Sequence, residues 1–294
     1  MTAPRSDASV AASNADDAYA TAAAPVTPAL PAHVLVTGAA GGIGRGICLA
    51  LARQARRAGS TLHISAAASQ PGDKLERLLD ELRAEGVTAT GVTGDLTQPD
   101  ACRALVAQAQ EAAGDLGSLV CNAGASGPGR LADLTVEQWD QTFHLNTRSA
   151  WLLAQAARPQ LVRTRGSITA IASMSGLMPH PGYGAYSPAK AALVMLCRQL
   201  AQEWAADGIR VNAVCPGMIR TPLTEAVYQD DATHQARRAL VPLGRIGTAD
   251  DVGEVVAFLT SPGAAYVTGQ ALTVDGGVAE HMLAMIPGRP GKGK

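Results

Sequence analysis

Aromatic residues make up only 3% of the chain. A stacking platform for single-stranded nucleic acid needs many exposed rings, so that class of binder is excluded. An excess of one charge sign is also missing: 24 Lys and Arg stand against 25 Asp and Glu, a net charge of -1. No basic face for nucleic acid or anionic lipid is indicated. No apolar run approaches the roughly 18 residues of a transmembrane helix. Cysteine is sparse and odd in number (Cys48, Cys102, Cys121, Cys197 and Cys215), and no two form a C-x-x-C pair. Thiols in apolar stretches read as buried side chains in a reducing cytoplasm, not as a disulfide framework or a metal site.

Order is missing at both ends. Residues 1–32 are Ala, Ser, Thr, Pro and Asp without periodicity. This stretch has neither the charged start and apolar run of a signal peptide nor the acid-poor composition of a transit peptide. It reads as a disordered extension. Residues 281–294 read as a tail whose Gly-Arg-Pro-Gly-Lys-Gly-Lys end (288–294) is disordered. The apolar segment Val278–Pro287 is expected to dock on its own subunit or on a neighbour.

Apolar material is plentiful, at 47% of 294 residues, enough for one sizeable core. Between the tails, strand-like and helix-like segments alternate. Short strands are expected at His33–Val36, Thr61–Ser65, Val87–Thr93, Ser118–Cys121, Ser167–Ala172, Ile209–Val214 and Ala271–Val274. Helices are expected at Ile43–Ala58, Leu75–Glu85, Pro99–Ala113, Leu134–Ala157 and Ser187–Asp207. Alternation of this kind implies an α/β fold, a single doubly wound domain over residues 33–280 with a mostly parallel, about seven-stranded sheet.

The first strand runs into Thr37-Gly38-Ala39-Ala40-Gly41-Gly42-Ile43-Gly44 and then a helix. Glycines there permit unusual backbone angles, close approach of a pyrophosphate and tight helix packing. The helix N-terminus offers free N–H groups to phosphate. The spacing is T-G-x-x-x-G-x-G, and at this point the chain resembles the classical short-chain dehydrogenase/reductase family, of the 3-oxoacyl reductase and glucose dehydrogenase kind. The resemblance extends through Gly94-Asp95-Leu96 and Asn122-Ala123-Gly124, where Cys121 replaces a usual Asn. It continues through Asn212-Ala213-Val214-Cys215-Pro216-Gly217, Ile219 and Thr221 to Asp275-Gly276-Gly277. It implies that Thr37, Gly38, Gly42, Ile43, Gly44, Asp95, Leu96, Asn122, Ala123, Gly124, Pro216, Gly217, Ile219 and Thr221 bind a nicotinamide dinucleotide.

Tyr186-Ser187-Pro188-Ala189-Lys190 is a Y-x-x-x-K pair. Residues four apart on a helix share a face, so phenol and ammonium converge. A positive charge ~4 Å from the phenol, at an effective dielectric of ~20, would favour phenolate by roughly 4 kcal/mol. That would bring a group that normally titrates near pH 10 close to neutrality. The resemblance implies that Ser173, thirteen residues earlier, holds the substrate oxygen, with Ser175 as its rival. It also implies that Asn146 orders a water in a proton relay through Lys190.

No acid lies in Ser65-Ala66-Ala67-Ala68-Ser69, where a ribose 2′-OH would be held. NADP(H) is therefore favoured over NAD(H), with Ser65 or Ser69 as hydrogen-bonding candidates and Lys74 as the nearest cation. The substrate pocket is expected to be lined by Ala125–Gly129, Met174–Tyr183 and Met218–Val241. Within it His180, Tyr183 and Tyr228 are candidate contacts, and Arg130 and Arg220 are candidate anion partners. The implied function is interconversion of a ketone or aldehyde and an alcohol, with Tyr186 as general acid/base. The alternative is a cofactor-binding regulatory protein on the same scaffold. Only 17 residues follow Gly277, which disfavours the longer epimerase type. Apolar, small-residue helices around Ala150, Ala154, Ala191 and Ala192 imply close pairing between subunits and a homotetramer.

Overall fold

The computed structural model describes residues 31–286 except 128 and 223, so expectations for 1–30 and 287–294 lie outside the described residues. His33–Thr37 (β1) is buried at every position. Its side chains alternate between two layers: Leu35 joins one apolar cluster, Val34 and Val36 the other. A strand dry on both faces belongs to a sheet covered on both sides.

The remaining strands are His63–Ala68 (β2), Thr88–Thr93 (β3), Ser118–Cys121 (β4), Ser167–Ile171 (β5), Arg210–Pro216 (β6) and Ala271–Val274 (β7). All pair in parallel, in the order β3-β2-β1-β4-β5-β6-β7. One face is covered by Gly42–Ala58 (α1), Asp73–Ala84 (α2) and, from the far end of the chain, Ala249–Thr260. The other is covered by Pro99–Ala113 (α3), Ser149–Thr164 and Tyr186–Trp204. The chain reverses its direction of travel across the sheet between β1 and β4. In a doubly wound sheet that is where a crevice opens beyond the carboxyl ends of the strands.

Four departures from the sequence reading matter for the site. First, β2 is shifted towards the C-terminus and ends at Ala68, not Ser65. Second, the single helix expected over Leu134–Ala157 is Val136–Phe143 (α4), a π-helical turn at His144–Arg148, and Ser149–Thr164 (α5). Third, after Tyr186–Trp204 (α6), the stretch beyond β6 carries two short helices, Glu225–Tyr228 (α7) and Asp231–Ala239 (α8). These precede Ala249–Thr260 (α9), which the sequence reading missed although Thr248 and Asp251 form a capping box at its start. Fourth, of the segment from Val278, Val278 packs on Tyr228, Val241 and Ile246, while Met282, Leu283, Met285 and Ile286 stay exposed. Docking of these four on their own subunit is thus not what the structure has.

Candidate active site

The turn after β1 is shaped by what its glycines exclude. Gly38 has φ +62°, and a Cβ on Gly44 would fall 2.1 Å from the Gly38 carbonyl oxygen. The start of α1 has no side-chain cap and no acid in its first turn. Its free N–H groups and positive dipole end therefore meet the crevice uncompensated, which suits a pyrophosphate. The Thr37 hydroxyl accepts hydrogen bonds from the Asn122 and Ala123 amides at 3.0 and 3.1 Å. The Asn122 side chain donates to the Thr37 and Gly38 carbonyls at 2.9 and 3.1 Å. Thr37 thus lies behind the turn, buried, and locks it to the end of β4.

A cavity of about 770 Å³ runs from this turn across the strand ends. It is lined by Gly38, Gly42, Ile43, Gly44, Asp95, Leu96, Asn122, Ala123, Gly124, Pro216, Gly217, Ile219 and Thr221, the expected cofactor residues apart from Thr37 and Ser65. Asp95 also accepts hydrogen bonds from the Thr97 amide and hydroxyl at 2.9 and 2.8 Å, which hold its carboxyl below the usual range.

Ser65 is a correction. It is fully buried in mid-strand, and its hydroxyl pairs with His33 Nε2 at 2.8 Å. Because β2 runs to Ala68, the cavity is reached instead by Ala67, Ala68, Ser69 and Lys74. No acid stands among these four.

At the other end of the cavity lie Ser173, Tyr186 and Lys190. Ser173 follows β5, and Tyr186 and Lys190 open α6. The Ser173 hydroxyl, not that of Ser175, lies near enough to the phenol to favour its ionised form. Ser175 is buried, with its hydroxyl on His180 Nδ1 at 3.0 Å and its amide donating to Ser173 Oγ at 3.1 Å. Lys190 Nζ donates to the Ile171 carbonyl at 2.8 Å and lies 5.7 Å from the Tyr186 ring centroid.

The electrostatics differ from the sequence expectation. Burial pushes the Tyr186 phenol above its ordinary value, and the nearby Ser173 hydroxyl opposes this only in part. Burial also pulls the Lys190 ammonium down from 10.5 to about 8, against the Cys215, Cys197 and Cys121 sulfurs, which favour its charge. Lys190 lies beside the Tyr186 ring, but burial, and not the partner's charge, sets the direction of each group's shift.

Asn146 stands on the π-helical turn between α4 and α5, a local distortion frequent at functional sites. Its Nδ2 donates to the Ala125 and Thr142 carbonyls at 2.9 and 3.0 Å. Its Oδ1 is buried without a hydrogen-bond partner among the described residues. A Cβ on Gly124 would lie 2.6 Å from that oxygen and 3.1 Å from Lys190 Nζ. Asn146 and Lys190 thus both approach Gly124, Lys190 from the cavity lining and Asn146 from behind it. The cavity also takes in Thr224, Tyr228 and Arg237 from the segment after β6. The sequence reading did not single out Thr224 or Arg237. The signal for Arg237 was its place on a charged helix, capped by Asp230, inside the expected pocket segment Met218–Val241. Arg220, a candidate anion partner, is engaged by Glu225 at 2.9 and 2.5 Å.

Residues 38–279 match the family described as enoyl-(acyl carrier protein) reductase. The chain is 36% identical over 251 residues to the oxidoreductase UcpA of Salmonella typhimurium, covering 83% of this chain and 92% of that one. The chain belongs to the short-chain dehydrogenase/reductase family. It is likewise 34% identical over 245 residues to the 3-oxoacyl-[acyl-carrier-protein] reductase FabG of Staphylococcus aureus, covering 83% of this chain and 96% of that one. A solved structure from Beutenbergia cavernae, described as an NAD(P)-dependent gluconate 5-dehydrogenase with bound NADP, superposes with a TM-score of 0.76 at 33% identity, covering 84% and 96% of the two chains. A 7α-hydroxysteroid dehydrogenase in complex with NADH superposes with a TM-score of 0.75 at 30% identity, covering 83% and 93%. As a member of this family, the chain is an NAD(P)-dependent oxidoreductase acting on CH–OH/C=O groups. Among the described residues no helix is long and apolar enough to cross a membrane.

Proposed function

We propose that this chain reduces a ketone or aldehyde to an alcohol, or runs the reverse reaction, with Tyr186 as the general acid/base. The observation that carries this reading is one cavity with the uncapped α1 turn at one end and Ser173, Tyr186 and Lys190 together at the other. The dinucleotide, when bound along Gly38–Gly44, Asp95–Leu96 and Asn122–Gly124, supplies or accepts the hydride. Ser173 holds the substrate oxygen beside the phenol. Tyr186, kept protonated at neutral pH by its burial, gives its proton to that oxygen as charge develops on it. Asn146 Oδ1 and Lys190 Nζ, which both border Gly124, order a water that returns a proton towards Tyr186. Lys190 is suited to this part because its value of about 8 lets it exchange protons near neutrality.

NADPH is the preferred reductant in this reading. Ala68, Ser69 and Lys74 present small, polar and cationic groups where an acid would repel a 2′-phosphate. All five cysteines are buried and unpaired, and burial pushes Cys48 and Cys197 up to about 12, which suits a reducing cytoplasm. The active form is a homotetramer. No observation favours a purely regulatory role, since the four candidate catalytic residues lie together. The test is the decay of NADPH or NADH absorbance over a panel of carbonyl compounds, with Tyr186→Phe in parallel. Turnover by the parent chain and its collapse in the variant is the expected result. Equal turnover by both removes Tyr186 from its role.

A further inference from the structure

The substrate half of the cavity is asymmetric in charge. Asp95 is the only acid among its described lining residues, and it lies with the cofactor turn beyond β3. Around the segment after β6, the lining carries Arg237 and His180 and no carboxylate. Arg237 is in the last turn of α8, with its guanidinium 5.8 Å from the centroid of the Tyr228 ring. Tyr228 is itself held: it is 4% exposed, packs on Val241 and Ile246, and meets His234 edge-on at 5.6 Å. The platform under the guanidinium is therefore rigid.

Elsewhere in the lining, His180 stacks on Tyr183 at 3.7 Å between centroids, and Ser175 engages its Nδ1. Its backbone amide donates to Ser187 Oγ at 3.2 Å. His180 and Arg237 both line this cavity, and the Arg237 charge adds to burial in lowering the His180 pKa. The other arginines of this segment are engaged: Arg220 with Glu225, and Arg238 with the Gly244 carbonyl at 2.6 Å. Among the described residues no carboxylate pairs with Arg237. A half-buried guanidinium without a counter-charge, aligned by an aromatic ring, is a receptor for an anionic oxygen group.

We propose that Arg237 recognises an anionic group on the substrate, so that the enzyme acts on carbonyl compounds or alcohols that also carry a carboxylate or phosphate, in preference to neutral ones. Resting on the oxidoreductase reading above, this fixes which class of carbonyl the Ser173–Tyr186 pair receives. One end of the substrate is held at Tyr186 and the charged end at Arg237, with His180 and Tyr183 as the wall between. The neighbouring family members have names that range from gluconate to a steroid to acyl carrier protein thioesters. Family membership alone therefore selects no substrate, whereas Arg237, the one arginine among the described lining residues, does.

The experiment uses the full chain and its Arg237→Leu and Arg237→Lys variants. Matched probes are levulinate against methyl levulinate, and dihydroxyacetone phosphate against dihydroxyacetone. The expected result is a kcat/KM ratio of charged to neutral partner of roughly 10- to 100-fold, the size of a hydrogen-bonded charge pair. In Arg237→Leu that ratio falls towards one through KM, and in Arg237→Lys it is partly restored. The pair that shows the larger ratio distinguishes carboxylate from phosphate. Equal kcat/KM for charged and neutral partners overturns the inference and leaves the oxidoreductase reading standing. So does an Arg237→Leu effect confined to the KM of NADPH. If no probe turns over, calorimetric titration of levulinate and of inorganic phosphate decides separately. Binding lost in Arg237→Leu supports the anion site, and binding absent or equal in both proteins overturns it.

Discussion

Lys190 Nζ lies 5.7 Å from the centroid of the Tyr186 ring yet gives its hydrogen bond to the Ile171 carbonyl at 2.8 Å. The ammonium is thus tied to the end of β5 and buried, and its folded-state value is about 8 against 10.5 in the open. The sign of the linkage follows. Between about pH 8 and 10.5 the unfolded chain holds a proton that the folded chain has released, so this group's contribution to stability rises with pH across that window. Below pH 8 the cost of burying the charge is fully present. Lys190→Met removes that cost, so the stability of the parent chain relative to the variant should rise from pH 7 to pH 10. The full gain is on the order of 3 kcal/mol. Buried cysteines, which ionise in the unfolded state at high pH, lower both proteins alike and cancel in the difference. Paired melting curves over this range check it. A relative stability that is flat or falls with pH contradicts the buried-ammonium account.

Tyr186→Phe keeps the ring and removes the proton. Carbonyl reduction should fall by roughly 10²–10⁴-fold, while dinucleotide affinity, read by fluorescence titration, stays the same. Because burial raises the phenol, the parent enzyme's reduction rate should show no loss attributable to Tyr186 between pH 6 and 8. The opposite outcome, a rate declining through neutrality with the profile of a depressed phenol, would restore the simple electrostatic picture drawn from the Y-x-x-x-K spacing.

Gly124→Ala tests the meeting of Asn146 and Lys190. The added methyl would lie 2.6 Å from Asn146 Oδ1 and 3.1 Å from Lys190 Nζ, so one of these side chains must shift. Misplacement of a positioned group by about an ångström costs on the order of 10² in rate. The expected result is a fall of that size in kcat with the KM for cofactor little changed. Full activity in the variant would separate the placement of Asn146 and Lys190 around Gly124 from turnover.

What was legible in the sequence was local. The glycine turn and the Tyr186–Lys190 pair were found because short spacings place them at a strand end and on one helix face, and Asn122 and Ser173 because the family resemblance implied them. The long-range consequences were not legible. Ser65 was placed at the end of a strand because Ala66-Ala67-Ala68 has weak β-propensity, yet between β1 and β3 a central strand takes small residues and continues. Asn146 fell inside one expected helix, whereas its side chain sits on a π-helical turn and donates to the Ala125 carbonyl, 21 residues away, which no local pattern shows. Arg237 was missed because a helix with the sequence Asp-Ala-Thr-His-Gln-Ala-Arg-Arg-Ala looks like a solvated surface. Only the fold brings its last turn over Tyr228 and into the cavity.

Cofactor choice is testable at Lys74, the basic residue at the cavity end formed by Ala68 and Ser69. Its ammonium is exposed, so its contribution is screened and modest. Lys74→Ala should raise the KM for NADPH roughly fivefold at low salt, with a smaller effect at 0.5 M salt. The KM for NADH should not move. Equal changes for both cofactors would exclude a contact with the 2′-phosphate.

Assembly is the last prediction. The small residues Ala150 and Ala154, offered by the sequence as a close-packing seam, are buried in the chain's own core. What α5 and α6 show to solvent is Trp151, 44% exposed, and Met195, 57% exposed. A second set, Phe258 at 45% and Tyr266 fully exposed, lies on α9 and the loop leading to β7. Large apolar side chains in solvent on two separate parts of a protein with so few aromatics point to two interfaces. Each can be closed by a two-fold axis, and two such axes generate a D₂ tetramer. Light scattering at micromolar concentration should therefore give four times the mass of one chain. Trp151→Glu with Met195→Glu should stop assembly at a dimer through the α9 surface. Phe258→Glu with Tyr266→Glu should stop it at a dimer through α5 and α6. Since all four positions are solvent-exposed in the single chain, its melting temperature at high dilution should change little. A parent protein with the mass of one chain would defeat the tetramer, and a tetramer indifferent to both pairs of substitutions would move its interfaces elsewhere.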